Sequence, residues 1–484
     1  HDVVWTTCRP TIRVLKKKRS TTRYHTMVSV APLRAFVYLL ASIPKQQRRY
    51  KGSVNKKSVG NRSRRNDDQK RTKPQASAVV LPSLTEPISG PFPTYYTCRH
   101  TYEDTLMEEL KRWTPSIQLS SPCPGLVQVD GTPRSPLAGD NDVSPTSLQT
   151  DETAPYDPVY ALQALPDCRI VTGESVKKLA IEVASAVETS SVLKAADASS
   201  LSIHALVPGM CKGQREPQGQ RRAYLVADAV QELLKKQYPA ARRQTLDVGE
   251  QTHSRILLQI LLLSTELAAV SLTECSPITS TFSTMLWPNP NLPAGLAMVD
   301  MIRTMPSSAY RKLLEAFSCW NCMPSPEDVV VDLGASPGGW TAALLHICQS
   351  KRIIAVDRSE LDPELMSHPA VEFVQGDAFT FLPNKPLDWM LSDVIAFPER
   401  VVELVDAWCS KGWAGRMIIT VKFKGTKPSW EPLQLAVQTA QSHGYDARAK
   451  HFFNNKNEVT LMLQKRTTGD DDDCNNNNDT GTTR

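Results

Sequence analysis

Between Asp328 and Trp340 the chain reads Asp-Val-Val-Val-Asp332-Leu-Gly334-Ala335-Ser336-Pro337-Gly338-Gly339-Trp340, residue types suited to holding a nucleotide-like ligand. Three valines running into an aspartate predict a buried parallel strand. The glycines that follow let the backbone approach a ligand closely and take positive φ. Thr341 to Cys348 then reads as the first turns of a helix. Strand, glycine-rich turn and helix make the crevice in which open α/β sheets hold nucleotides. Past Gly339, a second apolar strand from Arg352 to Val356 ends in Asp357, whose carboxylate can grip ribose hydroxyls. A third run, Val371 to Gly376, ends the same way in Asp377.

Two other readings use the same residues. A structural βα turn would employ the acids as helix caps. An NAD-type dinucleotide fold expects Gly-x-Gly-x-x-Gly, whereas this chain has Gly334-Ala-Ser-Pro-Gly338-Gly339. Further strands are predicted over Leu387–Asp393, Met417–Lys422, Arg448–Phe452 and Glu458–Leu463, with helices over Glu399–Ser410 and Trp430–His443. Three of them carry an ionisable residue at an end, Asp393, Lys422 and Glu458. Strand ends are where an open α/β sheet places its site.

Asp332 to Trp340 resembles the Asp-Leu-Gly-x-x-Pro-Gly-Gly-Trp motif of S-adenosylmethionine (SAM)-dependent methyltransferases, specifically the FtsJ-type ribosomal RNA 2′-O-methyltransferases. Upstream, Pro306-Ser followed by Lys312-Leu-Leu-Glu315-Ala-Phe317 is similar to a segment of the RlmM group. Those are bacterial enzymes that methylate a cytidine ribose in large-subunit ribosomal RNA. Ser336 stands where that group often has Cys. The resemblance implies that Asp332, Gly334, Ala335, Ser336, Pro337, Gly338, Gly339 and Trp340 hold SAM, with Asp357 on its ribose, Asp377 on the adenine amine and Asp393 near the methyl donor.

It also implies a Lys-Asp-Lys-Glu tetrad, matched by Lys312, Asp393, Lys422 and Glu458. A ribose 2′-hydroxyl is a poor nucleophile, so the enzyme must align it with the methyl group and remove its proton. On this resemblance Lys422 is the general base. Lys312 favours its neutral form and helps hold the substrate. Asp393 orients Lys422, and Glu458 positions a lysine or the ribose.

The elements that must carry these residues occupy the last third of the chain. With 484 residues there is room for two or three domains. The formal charge of +6 is unevenly spread: residues 1–75 hold 20 Lys and Arg against Asp2, Asp67 and Asp68, while the remaining 409 carry 36 basic and 47 acidic side chains. The basic balance therefore belongs to the leader, and pI alone is no argument for nucleic-acid binding. Met27 reads as a start, and the acid-free stretch after it resembles an organellar transit peptide. A disordered basic tail, a nucleolar signal or a secretory segment are the other readings of 1–75.

Residues 95–275 are predicted as an α+β unit, similar in order to the THUMP-type RNA-binding domain of the RlmM group. Its strands are expected over Tyr95–Arg99, Gly125–Asp130, Arg169–Val171, Leu201–Val207 and Ile256–Leu263, and its helices over Thr101–Trp113, Val176–Val187 and Tyr224–Tyr238. Residues 131–158 read as a flexible insertion, 276–305 as a linker, 306–466 as the methyltransferase domain and 467–484 as an acidic, Asn-rich tail. Eleven scattered cysteines suggest a reducing compartment. Cys319 and Cys322 have no second pair at zinc spacing, and packing explains them better than metal. No apolar run reaches the roughly 18–20 residues of a membrane span; Ile256 to Val270 is interrupted by Gln259, Thr265 and Glu266 and reads as a strand followed by a turn or helix.

The expected protein is an α/β enzyme with a Rossmann-like, mostly parallel seven-stranded sheet and an N-terminal α+β domain, using SAM to methylate an RNA ribose. An RNA-binding scaffold without turnover and an NAD-dependent oxidoreductase are the alternatives. Mitochondrion or plastid is the expected compartment, with cytoplasm or nucleolus as the other readings.

Overall fold

The computed structural model describes residues 92–130, 158–190, 192, 201–209, 218–235, 242–243, 256–274, 289, 292–297, 299–425 and 428–466. The expected leader 1–75, nearly all of the insertion 131–158, much of the linker 276–305 and the tail 467–484 lie outside these residues.

The C-terminal part is built on seven strands: β10 (Val329–Leu333), β11 (Arg352–Asp357), β12 (Val371–Gln375), β13 (Leu387–Ser392), β14 (Ala414–Lys422), β15 (Tyr445–Lys450) and β16 (Glu458–Lys465). Their order is β12-β11-β10-β13-β14-β16-β15. Only β16 runs antiparallel, hydrogen-bonded to β14 and β15. This is the mixed, mostly parallel, Rossmann-like sheet expected. Strand order reverses between β10 and β13, and that switch point opens a crevice outside their carboxyl ends.

Helices cover both faces, as a sheet of such apolar strands requires. Helix α4 (Tyr310–Trp320) places Leu313, Leu314, Phe317 and Trp320 against Val330, Trp389, Ile418 and Met462. It stops at Asn321, which takes a left-handed conformation (φ 53°) and returns its N–H to the Phe317 carbonyl. Helix α5 (Gly339–His346) follows the glycine turn, and α6 (Pro363–Met366) lies beyond β11. On the other face α7 (Pro398–Cys409) and α8 (Trp430–Ser442) bury Val401, Leu404, Trp408, Leu433 and Ala436.

The described residues between 94 and 274 form two sheets. The first, ordered β2-β3-β1-β4, contains β1 (Thr94–Cys98), β2 (Gln118–Cys123), β3 (Leu126–Asp130) and β4 (Ala161–Leu165), with α1 (Glu103–Trp113) packed on it. The second, ordered β5-β9-β8-β6-β7, contains β5 (Arg169–Thr172), β6 (Leu201–Leu206), β7 (Arg242–Arg243), β8 (Ile256–Leu262) and β9 (Leu267–Glu274). Helices α2 (Val176–Glu188) and α3 (Gln220–Leu234) cover one of its faces. Alternation along β8 explains the layering. Ile256, Leu258, Ile260 and Leu262 face those helices, while Leu261 packs with Tyr95, Leu126 and Leu165 of the first sheet. Between them, Gln259 donates to the Ala164 carbonyl at 2.8 Å.

The turn or helix expected after Ile256–Leu263 is a hairpin return, β9. Its Leu-Ala-Ala start, like the Ala-Leu-Gln-Ala-Leu of β4, consists of good helix formers. Both strands are buried, β9 between β5 and β8 and β4 at the sheet edge beside β1, and burial with cross-strand pairing overrides so weak a preference.

The first sheet is continuous with the core of the seven-stranded sheet. Tyr96, Leu106, Leu110, Tyr160 and Ala164 belong to the same buried cluster as Val331, Met417 and Leu461. Buried Lys450, the last residue of β15, donates to the carbonyls of Pro158 (2.7 Å) and Ala161 (3.1 Å). The next residue, His451, donates its backbone N–H to Val159 O and packs against the rings of both Tyr102 and Tyr160, at 4.1 and 4.9 Å. Burial holds His451 far down, at about 3, so it stays neutral there. Gln163 of β4 exchanges two 3.0 Å hydrogen bonds with the backbone of Asn289 in the linker. No helix among the described residues is long and apolar enough to cross a membrane.

Candidate active site

Every strand that carries a site residue ends at the same edge of the sheet. Asp332 is the penultimate residue of β10, Asp357 closes β11, Asp393 directly follows β13 and Lys422 closes β14. Asp377 lies just beyond β12. Glu458 begins β16, and because that strand runs the other way its first residue also reaches this edge.

The glycine turn lies across the switch point. Gly334 (φ 76°) and Ala335 both donate to the Val356 carbonyl at the end of β11. A Cβ on Gly334 would stand 2.7 Å from Val394 Cγ1, and one on Gly338 (φ 111°) would stand 2.3 Å from Leu365 Cδ1. Positive φ and close approach both restrict these positions to glycine. Ala335 is buried with Ala342, Leu361 and Leu365. The Ser336–Pro337 peptide is cis, and Ser336 donates its hydroxyl to Glu360 O at 3.0 Å. Beneath the turn, Gly339 begins α5 in contact with Ser307.

Trp340 faces inward. Its ring is buried with Tyr310 and Leu313 of α4, and its Nε1 donates to Ala309 O at 2.9 Å. Any contact of Trp340 with a ligand is therefore left to its backbone; the ring positions the helix that carries Lys312.

The acids differ in their surroundings. Asp332 is buried, accepts from Thr341 Oγ1 at 2.7 Å through Oδ2, and has no partner for Oδ1. Burial pushes it up to about 7, against the Thr341 bond that lowers it and with the charges of Asp393 and Asp357 adding to the rise. Half-buried Asp357 accepts from Ser336 N (3.0 Å) and Ser359 N (2.9 Å), which ties the turn to the end of β11. Asp377 accepts from Phe379 N at 2.9 Å and from Arg358. The Phe379 amide and the Arg358 guanidinium hold it below the usual carboxylate range.

The structure brings Lys312, Asp393, Lys422 and Glu458 together. Lys312 Nζ lies 2.9 and 3.0 Å from the two Asp393 oxygens and 2.9 Å from Glu458 Oε1. Lys422 Nζ lies 2.7 Å from the Asp393 carbonyl and 3.1 Å from Asp393 Oδ1. Asp393 is thus shared by both ammonium groups. Burial would raise it, but Lys312 and Lys422, with a 2.6 Å bond from Thr420 Oγ1, outweigh that and hold it low. The lysines are not equivalent. The Lys422 side chain is 23% exposed and that of Lys312 8%, so Lys422 is the one an incoming group can meet.

Three contributors were not legible as site residues. Thr420 shares a face with Lys422 two residues on and is the polar interruption in the otherwise apolar Met417–Val421; that alternation was the available signal. Thr341 looked like ordinary helix. Glu315, one turn beyond Lys312 on α4, is buried and accepts from Asn454 N at 2.8 Å. Burial pushes Glu315 up to about 8, against the Asn454 bonds and the charges of Arg311 and Arg99. It braces the segment 451–457 that leads into Glu458, where Lys456 N also reaches Glu458 Oε1 at 3.3 Å.

Residues 305–410 match the model of the family described as FtsJ-like methyltransferase. The chain is 32% identical over 176 residues to a protein of Xylella fastidiosa named ribosomal RNA large subunit methyltransferase M, covering 34% of this chain and 49% of that protein. Proteins of the same name from Halorhodospira halophila and Teredinibacter turnerae are also 32% identical, covering 36% and 35% of this chain and 51% of each relative. The chain thus spans about half the length of the curated relatives it matches. With its strand order and its glycine turn, the segment from residue 305 to 410 is similar to the FtsJ-like methyltransferases.

Proposed function

We propose that the protein is a SAM-dependent RNA 2′-O-methyltransferase acting on a ribose, with large-subunit ribosomal RNA as its substrate. The observation that carries the proposal is the cluster of two lysines and two carboxylates on the sheet edge that holds the glycine turn. The named relatives, whose title specifies large-subunit ribosomal RNA, support the substrate.

The cradle fits the cofactor. Asp357 has carboxylate capacity for a ribose diol beyond its two backbone bonds, and Asp377 is an ionised acceptor for an exocyclic amine. The unpartnered, buried Oδ1 of Asp332 is an acceptor still lacking a donor at the strand end. When bound, SAM supplies an electrophilic methyl group on a cationic sulfur.

The chain's own residues do the rest. Lys422 Nζ, the open member of the cluster, takes the 2′-hydroxyl proton. Asp393 fixes the position of that nitrogen through its carbonyl and Oδ1. Lys312 is clamped between Asp393 and Glu458, so it holds both carboxylates in place and presents positive charge to the bound ribose. Both lysines converge on Asp393, so the geometry of the base is set by the cluster and not by one residue.

The two sheets of residues 94–274 are proposed to grip the RNA in a THUMP-like manner; the basis is their α+β make-up and their fusion to the catalytic core. The test is incubation of the full chain with labelled SAM and RNA from cells lacking the protein, followed by mapping of 2′-O-methyl positions. A ribose methyl at a defined site is expected. Label on a base, or none, would refute the reading. SAM binding without transfer would favour the scaffold alternative.

A further inference from the structure

The loop that leaves β13 carries apolar side chains that none of the described residues covers. Val394, directly after Asp393, packs onto Gly334. The chain then turns outward, so that Ile395 is 94% exposed and Phe397 60%. Single exposed apolar residues are ordinary. These two share one short segment immediately beyond a tetrad residue.

Phe397 is also firmly placed. It caps α7, and its carbonyl accepts from Arg400 N at 3.0 Å. From the neighbouring loop, two residues past Lys422, Lys424 sets its ammonium 5.9 Å from the centre of the Phe397 ring. Lys424 is exposed, and among the described residues no carboxylate pairs with it. An exposed aromatic ring, an apolar neighbour and a cation beside the ring make a platform of the kind that binds unpaired nucleotides, the base stacking and the cation meeting a phosphate.

We propose that Ile395, Phe397 and Lys424 form a stacking subsite for an unpaired nucleotide of the RNA next to the one that enters the tetrad. This rests on the RNA methyltransferase reading above and adds that the substrate is single-stranded at that point. A base on Phe397 would anchor the strand at the mouth of the site, while Lys424 neutralises its phosphate. A second copy of the chain seated on the same face is the competing occupant, and the positive charge opposite Phe397 favours the nucleotide.

The test uses the full chain and a fluorescein-labelled, unstructured oligoribonucleotide, with SAM affinity measured calorimetrically to show that each variant is folded. Phe397→Ala is expected to weaken oligonucleotide binding by about 5- to 100-fold. Phe397→Trp, which keeps a π-face, should bind as the native chain does. Lys424→Gln should flatten the dependence of log K on log salt by about 0.7. Unchanged affinity in a Phe397→Ala chain that still binds SAM would overturn the subsite. So would sedimentation showing a dimer that Phe397→Ala dissociates. Methyl transfer by the native chain with the same KM for RNA in Phe397→Ala would overturn the subsite alone. No transfer by the native chain would overturn the methyltransferase reading beneath it.

Discussion

Lys422 and Glu458 are direct partners across the antiparallel pair of β14 and β16, yet their side chains do not serve each other. Glu458 turns to Lys312, and Lys422 turns to Asp393. The sheet register therefore places the acid and the base side by side, while helix α4 supplies the cation that draws the acid away. Lys422 is left with one carboxylate oxygen, one carbonyl and an open side.

Lys422→Arg keeps the charge but cannot accept a proton at working pH. SAM affinity should stay near normal while turnover falls by about 10²- to 10⁴-fold. Single-turnover rates at saturating SAM and RNA check this. Near-native turnover would mean that the residue acts through charge alone.

Thr420→Val removes the hydroxyl that donates to Asp393 Oδ1 while keeping nearly the same shape. Losing a hydrogen bond to a charged group should lower kcat by about 10-fold or more, with the SAM dissociation constant unchanged and Thr420→Ser restoring the rate. A proportional loss of SAM affinity would instead point to a general disturbance of β14.

Asp357→Ala should weaken SAM binding by about 1–3 kcal/mol. Because Asp357 also ties Ser336 and Ser359, Asp357→Asn is the cleaner probe. It keeps the size and an acceptor for one of those two amides and loses the charge. Calorimetry giving native affinity in both variants would remove Asp357 from the cofactor site.

Glu315 predicts a pH dependence of stability. Burial sets its folded value at about 8, above the ordinary Glu value of about 4.3. A raised acid favours folding fully below its unfolded value, and that contribution is lost as pH rises through its folded one. Native stability should therefore carry a declining component between about pH 4 and pH 8. Glu315→Gln keeps an acceptor for Asn454 N but cannot ionise, so the loss of Tm over that window should shrink. Thermal unfolding of the two chains across the window decides it, and parallel curves would show that Glu315 does not titrate there.

Much of this protein was legible without coordinates. The Val-Val-Val-Asp-Leu-Gly run specified β10 and its turn, because fully buried parallel strands need continuous apolar residues and a close backbone approach needs glycine. The aspartates and lysine at strand ends followed from the same logic, since an open α/β sheet exposes its carboxyl edge. Hydrophobic spacing also found α1 to α3, β1, β3, β5, β6 and β8. Composition could not reveal β4 and β9, whose helix-forming residues became strands once buried against residues distant in the chain. Nor could spacing show that Trp340 faces inward, that Thr420 bonds Asp393, or that Glu315 braces the segment before Glu458. Those facts depend on which residues distant in the chain share a buried space. The antiparallel entry of β16 is what turns Glu458 toward Lys312, and only the folded sheet sets that direction.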